Sequence, residues 1–234
     1  MNIVITGASS GVGFEAVIEL ILSGKHKVIA LARSQDKLTR LAEICAGLNP
    51  DAILYPIAFD IVHDDYDGLQ QFIATNFDSN IDVLVNNAGV LINKPFAELV
   101  ETDFVEMLQS NFIGHVRIIQ SLQQFMPAGS HILNIGSMGG YRGSSKFVGL
   151  SAYSASKAAL HTLTECLAQE FTGQGIKVNC PALGSAQTEM LEKAFPGYES
   201  PVPAFEMGKY IADFALIGHK FYNGKVLPVA ATTP

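Results

Sequence analysis

The sequence predicts an α/β fold in which one parallel sheet of about seven strands lies between two layers of helices. Short apolar segments alternate with longer helical patterns along the 234 residues, as they do in repeated βαβ units. Most of these strands are apolar on both faces, which is typical of parallel strands covered by helices. We therefore predict a doubly wound, three-layer α/β/α architecture and treat residues 1–234 as one domain, since units of this length share one core.

Seven strands and six helices account for most of the chain. The predicted strands are Asn2–Thr6, Lys27–Ala32, Ala52–Ala58, Asp82–Asn86, His131–Gly136, Ile176–Cys180 and Lys225–Val229. The predicted helices are Gly13–Leu22, Gln35–Ala46, Tyr66–Phe77, Thr102–Phe125, Tyr153–Phe171 and Ala204–Ile217. Two irregular stretches, Met138–Ala152 and Glu189–Pro203, each follow the carboxyl end of a strand, where open α/β sheets bind their ligands.

Composition and charge disfavour several classes of function. Fifteen basic against twenty-two acidic side chains give a net charge of −7, which predicts no nucleic-acid partner and no attraction to an anionic membrane. The apolar runs stop short of the roughly 20 residues that a membrane span needs. Because the first strand begins at Asn2, no room is left for a signal peptide, and we expect a cytoplasmic protein.

The cysteines and histidines do not predict a metal site. Cys45, Cys166 and Cys180 are odd in number, far apart and flanked by apolar residues, so we expect buried thiols and no disulfide framework. The six histidines lack any paired ligand spacing. We predict that no metal is bound.

A glycine-rich turn follows the first strand directly and leads into the first helix. It contributes Gly7, Ser9, Ser10, Gly11, Val12 and Gly13. Glycine allows a backbone to approach a pyrophosphate, whose charge is favoured at a helix N-terminus. Many such turns use glycine for geometry alone, but the position after the very first strand favours dinucleotide binding by a Rossmann-type sheet.

Two amide-bearing segments come next along the chain. Asn86, Asn87, Ala88 and Gly89 end the fourth strand, and they form either a close platform for a flat ligand or a simple turn. Asn111 lies on a helix face that we expect to be buried, where an amide needs a partner. It is either a satisfied core residue or, with Gly114, the cause of a bend that holds water or ligand.

Ser137, Tyr153 and Lys157 carry the predicted chemistry. Ser137 ends the fifth strand, and the spacing of four places Tyr153 and Lys157 on one helical face. A cation beside a phenol stabilises the phenolate, which lowers its pKa from about 10 towards the working range of a general acid and base. A tyrosine and lysine pair alone would more often be solvated surface.

Together these motifs resemble the short-chain dehydrogenase/reductase family over essentially the whole chain. The resemblance implies that Tyr153 exchanges a proton with the substrate, that Ser137 binds the substrate oxygen, that Lys157 lowers the phenol pKa and binds the nicotinamide ribose, and that Asn111 holds a water. It implies a cofactor site formed by Gly7, Ser9, Ser10, Gly11, Val12, Gly13, Asn87, Ala88 and Gly89, with Asp60 and Ile61 at the adenine.

The resemblance is incomplete after the sixth strand. Leu183 stands where the family usually has a proline, while Gly184 and Thr188 are retained as expected contacts of the nicotinamide. At the end of the second strand no carboxylate is present, and Arg33 is placed to accept a 2′-phosphate. We therefore predict NADP(H) in preference to NAD(H).

The predicted function is reduction of a ketone or aldehyde to an alcohol. Met138, Tyr141, Phe147, Val148, Leu150 and Leu183 are candidate pocket walls, and Arg142 and Lys146 either meet an anionic group or are solvated. The alternatives are an NAD-dependent alcohol dehydrogenase and a catalytically silent dinucleotide-binding scaffold or sensor. Apolar residues on the 102–125 and 153–171 helices, with the family resemblance, predict a homodimer, or a homotetramer if Val226–Ala231 also packs across a symmetry axis.

Overall fold

The computed structural model of this protein describes residues 1–24 and 26–230. The strands are β1 Asn2–Thr6, β2 Lys27–Ala32, β3 Ile53–Ala58, β4 Val83–Asn86, β5 His131–Asn134, β6 Gly136–Ser137, β7 Lys177–Leu183 and β8 Lys225–Val229. The helices are α1 Gly11–Ser23, α2 Gln35–Leu48, α3 Asp67–Asn76, α4 Glu101–Leu108, α5 Gly114–Leu122, α6 Ser151–Glu170, α7 Glu189–Ala194 and α8 Ala204–Ile217. The predicted tetramer segment ends at Ala231, which lies outside the described residues.

All strands belong to one parallel sheet. Its order is β3-β2-β1-β4-β5-β7-β6, with β8 on the other edge of β7. β5 and β6 pair with β7 in one continuous register, in which Leu133 faces Asn179 and Gly136 faces Ala182. They therefore share one position, which confirms the predicted sheet of about seven strands. The order reverses between β1 and β4, where such sheets open a crevice.

Two apolar cores lie on opposite faces of the sheet. On β1, Ile3 and Ile5 pack into one core with residues of α1, α2 and α8, whereas Val4 packs into the other with residues of α3 and α5. This alternation follows from the period of two along a strand. It confirms the three-layer α/β/α architecture.

The predicted strand His131–Gly136 is interrupted at Ile135. The Ile135 amide donates to the Asn86 carbonyl at 2.9 Å. The Ile135 carbonyl accepts from Lys157 Nζ at 2.8 Å. A side chain from α6 thus takes the place of a strand partner, which a pattern of apolar residues cannot predict.

The predicted helix Thr102–Phe125 is also divided. A π-helical turn over Gln109–Ile113 separates α4 from α5, and the Gly114 amide donates to the Gln109 carbonyl five residues back. Close packing accompanies it, because a Cβ on Gly114 would lie 2.7 Å from Ile61 Cδ1. The regular α-helix is therefore interrupted at Asn111, whose side-chain amide is satisfied within the protein.

Three other differences from the prediction concern boundaries and burial. The stretch expected to be irregular after residue 188 contains α7, which begins where Thr188 Oγ1 accepts from the Leu191 amide at 3.2 Å. β7 extends through Leu183, which pairs with Ser137 on one side and Val229 on the other. Cys166 is exposed and not buried as predicted, because it lies on the outer face of α6 with the exposed residues Thr162, Glu165 and Gln169. None of the described helices is long and apolar enough to cross a membrane.

Candidate active site

A cleft of about 1620 Å³ opens along the carboxyl ends of the strands. Nearly all of the predicted site residues line it: Gly7, Ser9, Ser10, Gly11, Val12, Arg33, Asp60, Ile61, Asn87, Ala88, Gly89, Ser137, Tyr153, Lys157, Gly184 and Thr188. Gly13 and Asn111 lie behind its wall. The sequence therefore predicted a set of residues that the fold brings together.

The turn after β1 and the segment after β4 interlock to form what we call the inner end of the cleft, residues 6–13 and 87–90. Thr6 Oγ1 accepts from the amides of Asn87 and Ala88, each at 3.0 Å. In return, Asn87 Nδ2 donates to the carbonyls of Thr6 and Gly7, each at 3.1 Å. Asn87 therefore holds the two segments together and also lines the cleft.

Two glycines make that close approach feasible. Gly7 adopts φ +68°, and a Cβ there would lie 2.7 Å from Ala88 Cα. A Cβ on Gly13 would overlap Asn87 Nδ2 and lie 2.5 Å from the Gly7 carbonyl. Gly13 thus acts by allowing α1 to pack against the turn, and its predicted direct contact with a ligand is not evident from this placement.

The N-terminus of α1 points its unpaired amides into the cleft between Ser9 and Val12. Ser10 is the N-cap residue, and in the described structure its side chain makes no capping hydrogen bond and the first turn holds no acidic residue. The partial positive charge of this helix end is therefore available to an anion.

The end of β2 places two basic residues on the cleft wall. Arg33 is exposed and lines the cleft. Lys37, at the start of α2, forms an ion pair with Glu189 of α7 at 2.9 Å. Both partners are exposed, so this pair contributes little stability, but it connects α2 with α7 across the cleft.

Asp60 and Ile61 follow β3 on the same side as Arg33. Asp60 Oδ1 accepts from the Val62 amide at 2.8 Å, which fixes the turn. The Ile61 side chain is 6% exposed. These two residues present a turn and an apolar side chain to the cleft, as an adenine edge would require.

Asn111 joins the inner end to α6. Its Oδ1 accepts from the Val90 amide at 2.9 Å, and its Nδ2 donates to the Val90 carbonyl at 3.0 Å and to Ser156 Oγ at 3.0 Å. A Cβ on the adjacent Gly89 would lie 2.8 Å from Asn111 Oδ1 and 3.6 Å from Lys157 Nζ. The side-chain amide is thus fully used within the protein, while the residue stays close to Lys157.

Ser137 and Tyr153 flank one point of the cleft. A Cβ on Gly139 would lie 3.5 Å from Ser137 Oγ and 3.8 Å from Tyr153 Cδ1. Burial raises the pKa of Tyr153, and its hydrogen bond with Ser137 opposes that rise. The lowered pKa that the sequence led us to expect is therefore absent in the protein alone, because desolvation of the phenol outweighs its hydrogen bond with Ser137.

Lys157 is buried beneath Tyr153. Desolvation lowers the pKa of its ammonium group to about 8. The group donates to the Ile135 carbonyl at 2.8 Å, so its position is fixed relative to Ser137, two residues further along the chain.

The outer end of the cleft, residues 91–94, 138–150 and 183–202, is formed by loops and by the short helix α7. The rings of Phe147 and Phe195 meet edge to face with centroids 6.5 Å apart, and Asn93 Nδ2 donates to the Ala194 carbonyl at 2.7 Å. The predicted wall residues Met138, Phe147, Leu150 and Leu183 line the cleft, whereas Tyr141 and Val148 do not. The apolar side chains of Leu91, Met190, Leu191, Phe195 and Tyr198 were missed and complete this wall.

No lysine or arginine of the outer end, among the described residues, lines the cleft. Lys146 Nζ donates to the carbonyls of Gly139 and Tyr141 at 2.9 and 2.6 Å. Lys94 pairs with Asp103 at 2.8 Å. Arg142 is exposed outside the lining. Within the described residues, only Arg33, Lys37 and Lys157 bring a lysine or arginine to the cleft wall.

Two buried histidines behind the cleft had no role assigned from the sequence. His115 Nε2 donates to the Ala88 carbonyl at 2.7 Å, and burial lowers the pKa of its ring to about 3. His161 accepts from the Ser137 amide through Nε2 at 3.4 Å. Their spacing could have marked them, since His115 lies four residues after Asn111 and His161 four residues after Lys157, on the same helical faces.

Comparison with known proteins identifies the family of this chain. A family model for short chain dehydrogenases matches residues 1–199. A fatty acyl-CoA reductase of Acinetobacter baylyi is 31% identical over 191 residues, which cover 80% of this chain and 63% of that protein. An uncharacterized oxidoreductase of Staphylococcus epidermidis is 28% identical over 192 residues, covering 81% and 79%. This chain therefore spans less than two thirds of the Acinetobacter enzyme.

Solved structures share the whole architecture. A short-chain dehydrogenase/reductase from Serratia marcescens superposes with a TM-score of 0.83 at 28% identity, covering 97% of this chain and 95% of that one. A putative short chain dehydrogenase from Shigella flexneri, solved with NADP, gives 0.85 at 24% identity, covering 97% and 95%. The fold, the family model and these relatives agree: this chain is an oxidoreductase of the short-chain dehydrogenase/reductase family.

Proposed function

We propose that this protein reduces the carbonyl group of an uncharged, apolar ketone or aldehyde with NADPH. The observation that carries this proposal is the placement of Ser137, Tyr153 and Lys157 on one wall of the cleft, opposite the interlocked glycine turn. A dinucleotide laid along the inner end would bring its nicotinamide towards the phenol.

The residues present fit a dinucleotide. Ser9 to Val12 offer the free amides of α1 to the diphosphate, and a side chain at Gly89 would fill the space in front of Asn111. Lys157 is placed to bind a ribose hydroxyl. When bound, the nicotinamide supplies or accepts the hydride.

The protein's own groups would handle the proton. Because burial raises the pKa of Tyr153, the phenol is protonated at neutral pH and can donate its proton to the carbonyl oxygen as charge develops there. The Ser137 hydroxyl would donate a hydrogen bond to the same oxygen. With a pKa of about 8, Lys157 is mostly positively charged at pH 7 and would stabilise the phenolate that remains.

The preference for NADPH rests on Arg33. A guanidinium can hold a phosphate with two parallel hydrogen bonds, and the exposed Arg33 side chain lies at the end of β2 on the cleft wall. Neighbouring Ser34 also lines the cleft. A cell keeps NADPH mainly for reduction, which agrees with a protonated Tyr153 as donor.

The proposed preference for an uncharged substrate rests on the residues that line the outer end. Most of its wall is apolar, Lys146 is bound to backbone carbonyls and Lys94 to Asp103, and Lys193 and Arg142 lie outside the lining. A carboxylate or phosphate entering there would lose its hydration without gaining a cation. The fatty acyl group in the name of the Acinetobacter relative would fit such an apolar wall.

The direct test is a screen of carbonyl compounds with NADPH and NADH in matched pairs, such as acetophenone against 4-acetylbenzoate and 2-octanone against 7-oxooctanoate. We expect turnover of the neutral member of each pair, with NADPH preferred. Turnover of no carbonyl compound would reject the proposed activity. Equal turnover of both members would reject only the substrate class.

A charge placed on the wall sharpens this test. Phe147→Lys should raise kcat/KM for 4-acetylbenzoate relative to acetophenone by about 10-fold, because Phe147 lines the cleft. Val148→Lys is the matched control, since Val148 is 90% exposed and lies outside the lining. An equal effect of both substitutions would contradict the assignment of this wall to the substrate.

We also propose that the protein is a homodimer or homotetramer. Val105, Leu108 and Ile113 leave apolar side chains exposed along α4 and the π turn, and Ala155 and Cys166 do so on α6. A second copy would cover this surface. Light scattering after size exclusion should give at least twice the 25.1 kDa chain mass, and a mass of one chain at micromolar concentration would reject a stable dimer.

A further inference from the structure

His161 occupies the same face of α6 as the two residues that the proposed reaction uses. Tyr153, Lys157 and His161 follow one another at intervals of four, so their side chains project side by side. His161 is 7% exposed and lies outside the cleft lining. It is therefore close to the reacting groups without touching a substrate.

The imidazole contacts both ends of the turn that carries Ser137. The Ser137 amide donates to Nε2 at 3.4 Å, so the ring must carry its proton on Nδ1. The Gly140 carbonyl accepts a hydrogen bond from the ring, and burial with the positive charge of Lys157 lowers the pKa of His161 to about 4. At neutral pH the ring is neutral and fills both roles, acceptor and donor.

The turn lies directly against α6 because it is built of glycine. A Cβ on Gly136 would overlap His161 Nε2, and a Cβ on Gly140 would lie 2.6 Å from the Ala158 amide nitrogen. Within the turn, the Gly139 amide donates to Ser137 Oγ at 3.1 Å. This hydrogen bond fixes the position of the Ser137 oxygen within the turn.

We propose that His161 is a positioning residue, which holds the Ser137–Gly140 turn so that the Ser137 hydroxyl faces the substrate oxygen beside Tyr153. This inference rests on the proposed function of Ser137 and Tyr153. Lys157 fixes the same segment at Ile135, and His161 fixes it at Ser137 and Gly140. Two neighbouring residues of α6 thus set the separation between the serine and the tyrosine.

Loss of the His161 imidazole should reduce turnover and leave cofactor binding unchanged. A displacement of about 1 Å in a reacting group can lower a rate by about 100-fold. His161→Leu removes both hydrogen bonds and should lower kcat by about 10- to 100-fold, with the NADPH dissociation constant close to that of the unmodified protein. His161→Gln keeps an acceptor and a donor on a side chain of similar length and should recover most of the loss.

A matched control separates positioning from stability. His131 is also buried and also donates to a backbone carbonyl, that of Ala215 at 3.0 Å, but it lies outside the cleft lining. His131→Leu should lower the melting temperature without lowering kcat per folded molecule. If His131→Leu lowers kcat as much as His161→Leu does, or if His161→Leu keeps kcat within about threefold, the proposal is overturned.

A double-mutant cycle with Ser137→Ala tests whether His161 acts through the Ser137 hydroxyl. If His161 acts through Ser137, the substitution His161→Leu should have almost no further effect on kcat once the hydroxyl is absent. Fully multiplicative effects would overturn the proposal. Should His161→Leu fail to fold, the same cycle with His161→Asn, read against His161→Gln, gives the same comparison. A Ser137→Ala protein with undiminished turnover would instead reject the proposed function of Ser137.

Discussion

The inner and outer ends of the cleft are built in different ways. The inner end is held by hydrogen bonds between short, glycine-rich segments and by the Thr6 and Asn87 side chains, each of which contacts the opposite segment. The outer end is formed by loops and the short helix α7, and its segments meet through single side chains, as Phe147 and Phe195 do. The inner end is therefore suited to one constant ligand, whereas the outer end can change with little effect on the fold.

Two lysines give the test with the largest difference between the two ends: Lys157, which lines the cleft, and Lys146, which lies in an outer loop and does not line it. Lys157→Ala should lower kcat by about 100-fold or more and also weaken NADPH binding, because one ammonium group serves both the phenol and the ribose. Lys146→Ala removes a brace of the outer loop and should change only the substrate KM. Steady-state kinetics and NADPH fluorescence titration measure both quantities. A loss confined to the substrate KM in Lys157→Ala would contradict its assignment.

The sequence predicted the inner end almost completely, and the reason is physical. Gly7 needs a positive φ and Gly13 a close approach, and such constraints leave few alternatives at a position next to a strand. Asn86 to Gly89 likewise follow β4 directly. The geometry of the inner end is therefore determined by short segments of consecutive residues.

The outer end and the interruptions of regular elements could not be predicted. The break in the strand at Ile135 depends on Lys157, which is 22 residues away in sequence. The wall of α7 depends on a cap at Thr188 within a proline-rich stretch. The pKa of Tyr153 was expected in the wrong direction for the protein alone, because its burial is a property of the packed fold and not of a pair spacing.

Substitution of Arg33 tests whether the end of β2 selects the cofactor. Arg33→Asp should lower the ratio of kcat/KM for NADPH to that for NADH by about 10- to 100-fold, the value of a charge-assisted hydrogen bond. Arg40→Asp is the control of equal charge change, since Arg40 is exposed on α2 outside the cleft lining. An unchanged ratio in Arg33→Asp would place the selectivity elsewhere, with Ser9, Ser10 and Ser34 the next candidates.

Substitutions of two glycines test whether close packing at the inner end contributes to the free energy of unfolding. Gly13→Ala should lower the free energy of unfolding by about 1–3 kcal/mol, because its Cβ would meet the Gly7 carbonyl and Asn87. Gly47→Ala, in the exposed last turn of α2, meets no atom of the described structure within 4 Å and should raise it by up to about 1 kcal/mol. Urea denaturation measures both. Equal effects of the same sign would contradict the interlocked inner end.

The most direct test of the whole account is turnover by Tyr153→Phe at saturating NADPH. The substitution keeps the ring and its packing and removes only the transferable proton. The account predicts that kcat falls by about 10²- to 10⁴-fold, while the NADPH dissociation constant, from the cofactor's own fluorescence, stays within a factor of about three. Turnover within about tenfold of the unmodified protein would contradict it, because some other group would then supply the proton.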